Sequence, residues 1–175
     1  MNERMLQELM DREEISFLLH EYCRTLDAME LDTLAAIFTE DCVVEYGPED
    51  RLRSHGRAAI RRGLERLWRW RRTSHHLSNV QIRFPRADEA NALSYIIAWH
   101  ERPDGSTATI WGQYHDKFVR TPAGWRLKRR RQTMNGNDAG FTVNVFPSER
   151  RQPPAGWIAP VIDQPVNTRQ GGGRT

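Results

Sequence analysis

The chain is predicted to be an α+β domain, and three observations carry that expectation. Apolar residues recur with helical spacing in the N-terminal part, the period then changes to that of strands, and the breakers between those strands are short. Short connections favour an antiparallel meander, so helices followed by a strongly curved antiparallel sheet are expected. At 175 residues the chain is long enough for one domain holding a core and a ligand cavity.

The first helix is read over Glu13 to Met29, where Ile15, Leu18, Leu19 and Leu26 form one stripe with Tyr22. Tyr22 then points inward. Asp27 sits beside Leu26 near the same face, where an unpaired carboxylate is costly and needs a partner. Glu30-Leu31-Asp32 breaks the pattern, and Asp32 or Thr33 caps a short second helix, Leu34 to Phe38. Asp41 to Tyr46 alternates as a strand does, and Pro48 to His55 reads as a polar loop. Gly56 opens a third helix with Ile60, Leu64, Leu67 and Trp68 on its apolar face and arginines on the other.

Four strands follow, Leu77 to Phe84, Asn91 to His100, Ala108 to Phe118 and Trp125 to Arg131. Their breakers are Pro85 to Glu89, Pro103-Asp104-Gly105 and Thr121-Pro122-Ala123-Gly124. The domain is drawn at residues 1–146. Residues 147–175 read as an extended Pro/Gly-rich arm, with Trp157 and Ile158 as its anchors on another surface.

Composition narrows the function. Hydrophobic content of 38% and charged content of 28% are ordinary for a soluble globular protein, and no run approaches a membrane span. The start, MNERMLQELMDREE, lacks the apolar centre of a secretory signal, so a cytoplasmic protein without a membrane partner is expected. Cys23 and Cys42 are too few and too scattered for a disulfide framework or a zinc site. Of 26 basic residues only Lys117 and Lys128 are lysines. The arginines gather in Arg57 to Arg72 and Arg126 to Arg131, which reads as a solvated basic surface. No nucleic-acid motif accompanies them, and no nucleic-acid partner is expected.

The candidate chemistry lies with three histidines. His75 and His76 stand where the third helix gives way to the sheet, and neighbours in a strand face opposite ways, so one of the two enters a given cavity. Strand parity groups His76 with Val80, Ile82 and Phe84, which slightly favours His76 as the apolar-face residue. His100 ends the next strand after Tyr95, Ile97 and Trp99. HExxH, paired cysteines, GxSxG and phosphate-cradling glycine loops are all missing from the sequence. A metal on Asp27, His75 and His100 is the weaker alternative, and no cofactor is expected.

The segments YCRTLDAMELDTLAAIFTEDCVVEY, GRAAIRRGL, SHHLSNVQI and GQYHDKFVRTPAGWRL, in this order of helices and strands, resemble the SnoaL-like branch of the NTF2-like superfamily over about residues 8 to 134. The resemblance implies a cone, with a curved sheet wrapped by three N-terminal helices around an apolar internal pocket. Within the superfamily the spacing is similar to bile-acid 7α-dehydratases, scytalone dehydratases and hexachlorocyclohexane dehydrochlorinase, which share a cofactor-free elimination site built on a His–Asp dyad. Carried over residue by residue, Tyr22 and Asp27 fall on the helical tyrosine and acid, and His75, four before Asn79, on the dyad histidine. His100 lies where bile-acid dehydratases have a pocket aspartate and where scytalone dehydratase uses a second histidine. Met134 stands where the bile-acid enzymes carry an arginine, a departure that counts against a steroid–coenzyme A substrate.

The resemblance thus implies a cofactor-independent lyase acting on a hydrophobic hydroxy-carbonyl compound: a polyketide, a steroid or an aromatic. Tyr22, Asp27, His75 and His100 are the candidate catalytic residues, and His76, Tyr46, Trp99, Tyr114 and Met134 the candidate substrate contacts. An isomerase or polyketide cyclase with the same dyad is a second possibility. A non-catalytic binder or dioxygenase small-subunit-like assembly protein is a third. A homo-oligomer, dimer or trimer, is expected in each case.

Overall fold

The computed structural model describes residues 3–139, 146–148 and 154–158. Helix α1 runs over Glu3–Asp27, α2 over Leu31–Ala36, and strand β1 over Phe38–Glu45. A 3₁₀ turn, Asp50–Leu52, leads into the short strand β2, Arg53–His55, and then α3, Arg57–Leu64. A second 3₁₀ turn, Glu65–Arg69, precedes the four long strands β3 (Arg72–Arg86), β4 (Glu89–Glu101), β5 (Thr107–Thr121) and β6 (Gly124–Asn137). The six strands form one open sheet in the order β2-β1-β6-β5-β4-β3. β3 to β6 are an antiparallel meander, and β1 joins β6 in parallel. The α+β expectation holds. The stretch read as a polar loop, Pro48 to His55, instead carries β2 at the sheet's edge, paired to β1 from Val43 to Glu45.

Helix α1 begins ten residues earlier than its apolar stripe suggested, and Met5, Leu6, Leu9 and Met10 of that extension are exposed. Its buried face carries Ile15, Leu19, Tyr22 and Leu26 against the sheet. The end of the helix is fixed by backbone geometry. Met29 takes φ 56, its N–H donates to the Leu26 carbonyl at 3.2 Å, and the Glu30 N–H donates to the Thr25 carbonyl at 2.9 Å. This is a Schellman arrangement, with a methionine where glycine is usual. It sets Asp27 as the last helical residue, at the negative end of the helix dipole, where a carboxylate is disfavoured.

Period changes position the rest. Helix α3 stops at Leu64, and the following 3₁₀ turn has three residues per turn, so Leu64, Leu67 and Trp70 share a face. Trp68, assigned to the apolar face on an α-helical count, is 66% exposed. In β3 the register advances from Ser78↔Tyr95 to Gln81↔Leu93, three residues against two, and Asn79 within that bulge has φ 51. Leu77 before the bulge and Val80, Ile82 and Phe84 after it therefore all pack against the core. A second irregularity separates Phe118↔Leu127 from Lys117↔Arg129, so Trp125 and Leu127 share the inner face with Arg130 and Met134.

The inner face of β4 presents Ala90, Ala92, Ser94 and Ala98 around the larger Ile96, and β5 adds Ala108 and Gly112. A Cβ at Gly112 would meet the Thr133 carbonyl at 2.5 Å, so this close crossing to β6 requires glycine. Of these, Ala98 and Ala108 leave space that Tyr22 and Leu26 of α1 and Leu64 of α3 do not fill, and a cavity remains. The predicted arm lies mostly outside the described residues. Its start is sewn to β6: the Met134 N–H donates to the Phe146 carbonyl at 2.8 Å and the Ser148 N–H to the Met134 carbonyl at 3.0 Å. Trp157 and Ile158, expected as anchors, are exposed.

Candidate active site

The structure supplies the partner that Asp27 requires. The His75 ring Nδ1 lies 2.6 Å from Asp27 Oδ1, and the His75 backbone N–H donates to Oδ2 at 2.8 Å. Thr73, two residues earlier on the same face of β3, donates its hydroxyl to Oδ1 at 2.7 Å. An ionised carboxylate only accepts, so the Nδ1 of His75 carries the proton and Nε2 is left as the basic nitrogen. Burial opposes the charge on Asp27, but the hydrogen bonds from His75 and Thr73 and the attraction of His75 hold its pKa below the ordinary carboxylate value.

His75 opens on a cavity of about 140 Å³ lined also by Tyr22, Leu26, Tyr46, Leu64, Leu67, Trp70, Ala98, His100, Ile110, Tyr114 and Met134. The His75 side chain is 5% exposed. Its ring meets that of His100 edge-on, centroids 5.4 Å apart, and the other neighbour of His100 is Trp70 at 4.8 Å. Burial first, and then the charge of His75, lower the pKa of His100 to about 4, so its ring is neutral near pH 7. Nδ1 of His100 is buried without a partner among the described residues.

Opposite this pair stand three phenols. The hydroxyls of Tyr22 and Tyr46 are 2.5 Å apart. One hydrogen is used between them, and the other hydroxyl hydrogen is left to point elsewhere. The Tyr22 and Tyr114 rings meet edge-on at 5.9 Å. Beneath them lies Arg130, its guanidinium 4.1 Å over Tyr22 and 3.9 Å over Tyr114, bound through Nε and Nη2 to Asp116 at 2.8 and 2.7 Å. Both partners of that ion pair are fully buried. Burial and the neighbouring Tyr114 push the Tyr22 phenol far above its ordinary value, against the pull of Arg130, and burial does the same to Tyr114 and Tyr46. All three stay protonated as hydrogen-bond donors.

Of the residues expected at the site, Tyr22, His75, His100, Tyr46, Tyr114 and Met134 come together on the cavity, with Asp27 behind His75. His76 and Trp99 do not. His76 is exposed and its Nε2 is 2.8 Å from the Ser74 hydroxyl, while Trp99 lies on the outer face under the Arg72 guanidinium, 6.0 Å from its ring centre. The bulge at Asn79 explains the first: parity counted back from Ile82 skips one residue and selects the wrong histidine. Trp99 alternates with Ala98 and His100, which face inward. Thr73, Trp70, Arg66, Arg69, Gln132 and Arg130 were not anticipated. Thr73 was open to the argument that residues two apart in a strand share a face, whereas the burial of Arg130 ran against its place in a run of arginines. The expected solvated surface over Arg126 to Arg131 is thus interrupted by a fully buried cation.

Cys23 and Cys42 are buried free thiols, and burial pushes Cys23 up to about 12. Among the described residues no three of His, Cys, Asp and Glu converge as metal ligands would, and no helix is long and apolar enough to cross a membrane.

Comparison with known proteins agrees with this fold. The family described as a SnoaL-like domain matches residues 7–131. An uncharacterised protein of Mycobacterium tuberculosis, and its counterpart in Mycobacterium bovis, are 32% identical over 137 residues, covering 72% of this chain and 86% of theirs. A candidate scytalone dehydratase from Novosphingobium aromaticivorans has TM-score 0.79 and 31% identity, covering 85% of this chain and 99% of that one. The hexachlorocyclohexane dehydrochlorinase of Novosphingobium barchaimii shares the fold at TM-score 0.70 and 19% identity, covering 82% of this chain and 99% of its own. With the family match over residues 7–131 and the structural match in agreement, the chain belongs to the SnoaL-like family of the NTF2-like superfamily.

Proposed function

We propose that the protein is a cofactor-independent lyase that eliminates water from an apolar hydroxy-carbonyl compound, with the His75–Asp27 dyad as its base. The single observation behind this is a histidine whose Nδ1 is tied to a carboxylate at 2.6 Å while its ring lines an apolar cavity. Asp27 fixes the tautomer and stabilises the imidazolium that forms. Nε2 takes a proton from the carbon next to the substrate carbonyl, and the spare hydroxyl hydrogen of the Tyr22–Tyr46 pair bonds the developing enolate oxygen. The enolate electrons then form the C=C bond as the C–O bond breaks. The proton held on His75 goes to the departing hydroxide, so water leaves and the imidazole is regenerated. His100, an uncharged imidazole with one donor and one acceptor nitrogen, orients the leaving hydroxyl by hydrogen bonding and does not compete for the proton.

The test is a panel of polyketide, steroid and aromatic hydroxy-carbonyl compounds read by mass spectrometry, with deuterium uptake beside the carbonyl as a second readout. His75→Gln and Asp27→Asn should each cost about 10²–10⁴-fold in elimination and in deuterium exchange. A product of unchanged mass with His75-dependent exchange moves the assignment to an isomerase or cyclase. Exchange and turnover indifferent to both substitutions, with stability alone reduced, would leave the dyad as a structural pair and the protein as a binder.

A further inference from the structure

The wall of the cavity built by the 3₁₀ turn carries two guanidiniums, Arg66 and Arg69. They are three residues apart where the turn repeats every three, so they share a side of it. Other arginines of this region meet carboxylates: Arg61 bonds Asp32 and Glu65, and Arg72 bonds Glu101. Arg66 and Arg69 instead lie over aromatic rings, Arg66 at 5.2 Å from the Tyr46 centre and Arg69 at 5.1 Å from that of Trp70. Among the described residues neither has a carboxylate or a hydrogen-bonding partner. Partial desolvation, and then the charges of Arg66, Arg51 and Arg102, lower the pKa of Arg69. Arg69 is exposed, so this end of the cavity opens to solvent.

A second observation points the same way. Among the described residues the Trp70 indole Nε1 and the His100 Nδ1 are buried without partners, and both side chains line this cavity. Indole and guanidinium nitrogens only donate. What this wall lacks is an acceptor with negative charge, and an unmet buried donor is costly.

We infer that the substrate is an apolar acid, whose carboxylate, sulfate or phosphate sits against Arg66 and Arg69 while its apolar body extends to His75. The inference names the substrate class of the site proposed above and rests on the reading of this cavity as a substrate site. Guanidinium suits such a group because its planar fork matches two acceptor oxygens at once.

The experiment is a calorimetric binding titration of the full chain with benzoate and its uncharged parent benzene, which share one apolar ring small enough for a cavity of about 140 Å³. At low salt the anion should bind about tenfold tighter than the parent, and added salt should erode the difference. Arg69→Gln should reduce the preference and R66Q/R69Q should abolish it, with the parent's affinity unchanged. Arg62→Gln, an exposed arginine of α3 outside the cavity, should leave it intact. Arg69 is exposed, so R69Q retains the fold even if the double variant does not. Equal affinities in the unsubstituted protein, no saturable binding of the anion, or a preference that survives both variants overturns the inference. Because the readout is binding, His75→Gln should keep the preference, and a failed elimination assay leaves the anion result standing.

Discussion

Acidifying the protein from about pH 7.5 to about pH 5 tests whether His100 is held neutral by its surroundings. Its imidazole is 6% exposed, faces the rings of His75 and Trp70, and has a folded pKa of about 4 against an ordinary 6.5. Between those two values the unfolded chain binds the extra proton and the folded one does not. Stability therefore rises with pH across this window and is lost as pH falls through it. Worked from the two pKa values, the loss at about pH 5 is about 2 kcal/mol, reaching about 3 kcal/mol below the folded pKa. For a chain of this size that corresponds to a fall of about 4–8 °C in Tm at about pH 5.

The assay is thermal unfolding of the wild-type protein and His100→Gln across that range, with the difference between the two curves as the quantity read. The subtraction matters because Asp27 also titrates. Its depressed pKa, opposed by burial but set by the His75 hydrogen bond, adds stability above the unfolded carboxylate value that is lost at still lower pH. That contribution is common to both proteins. Parallel curves for wild type and His100→Gln, or a His100 ring signal titrating near its ordinary value, would refute the reasoning. It would also remove the grounds for treating His100 as a neutral hydrogen-bonding group beside the base.

Two further predictions follow from the sheet. Arg130→Met leaves Asp116 as an uncompensated buried charge and should cost about 3–5 kcal/mol in urea unfolding, with R130M/D116L recovering most of it; a harmless Arg130→Met would show that the pair does not hold the floor of the cavity. Asn79→Gly should be near neutral at φ 51, whereas Asn79→Val should cost about 1–2 kcal/mol, because a β-branched residue crowds its own backbone there; equal stabilities would mean that the bulge relaxes on substitution.

Much of this architecture was legible residue by residue. The stripe of Ile15, Leu19, Tyr22 and Leu26 is a local property, since helical repeat alone decides which side chains share a face, and it placed Tyr22 inward and Asp27 in need of a partner. The strands from Asn91 to Arg131 were readable for the same reason, although each runs further than its apolar core because backbone pairing continues where side chains are solvated. The choice of His75 came from resemblance, and parity argued against it.

Contacts between distant segments governed the remainder. An extra residue at Asn79 inverts which histidine enters the cavity, and no composition rule announces a bulge that exists to keep β3 in register with β4. The tightening of α3 into a 3₁₀ turn exchanges Trp68 for Trp70, a change of period imposed where the helix end meets the sheet. Arg130 belongs to a run of arginines that reads as surface; it is buried because Asp116, its pairing partner on β5, neutralises it and two tyrosine faces cover it. Local spacing determines which residues belong to one face of an element. Whether that face meets solvent, a cavity or a counter-charge depends on strands and helices far away in the chain, and it was there that the dyad, the cavity and its cationic wall were assembled.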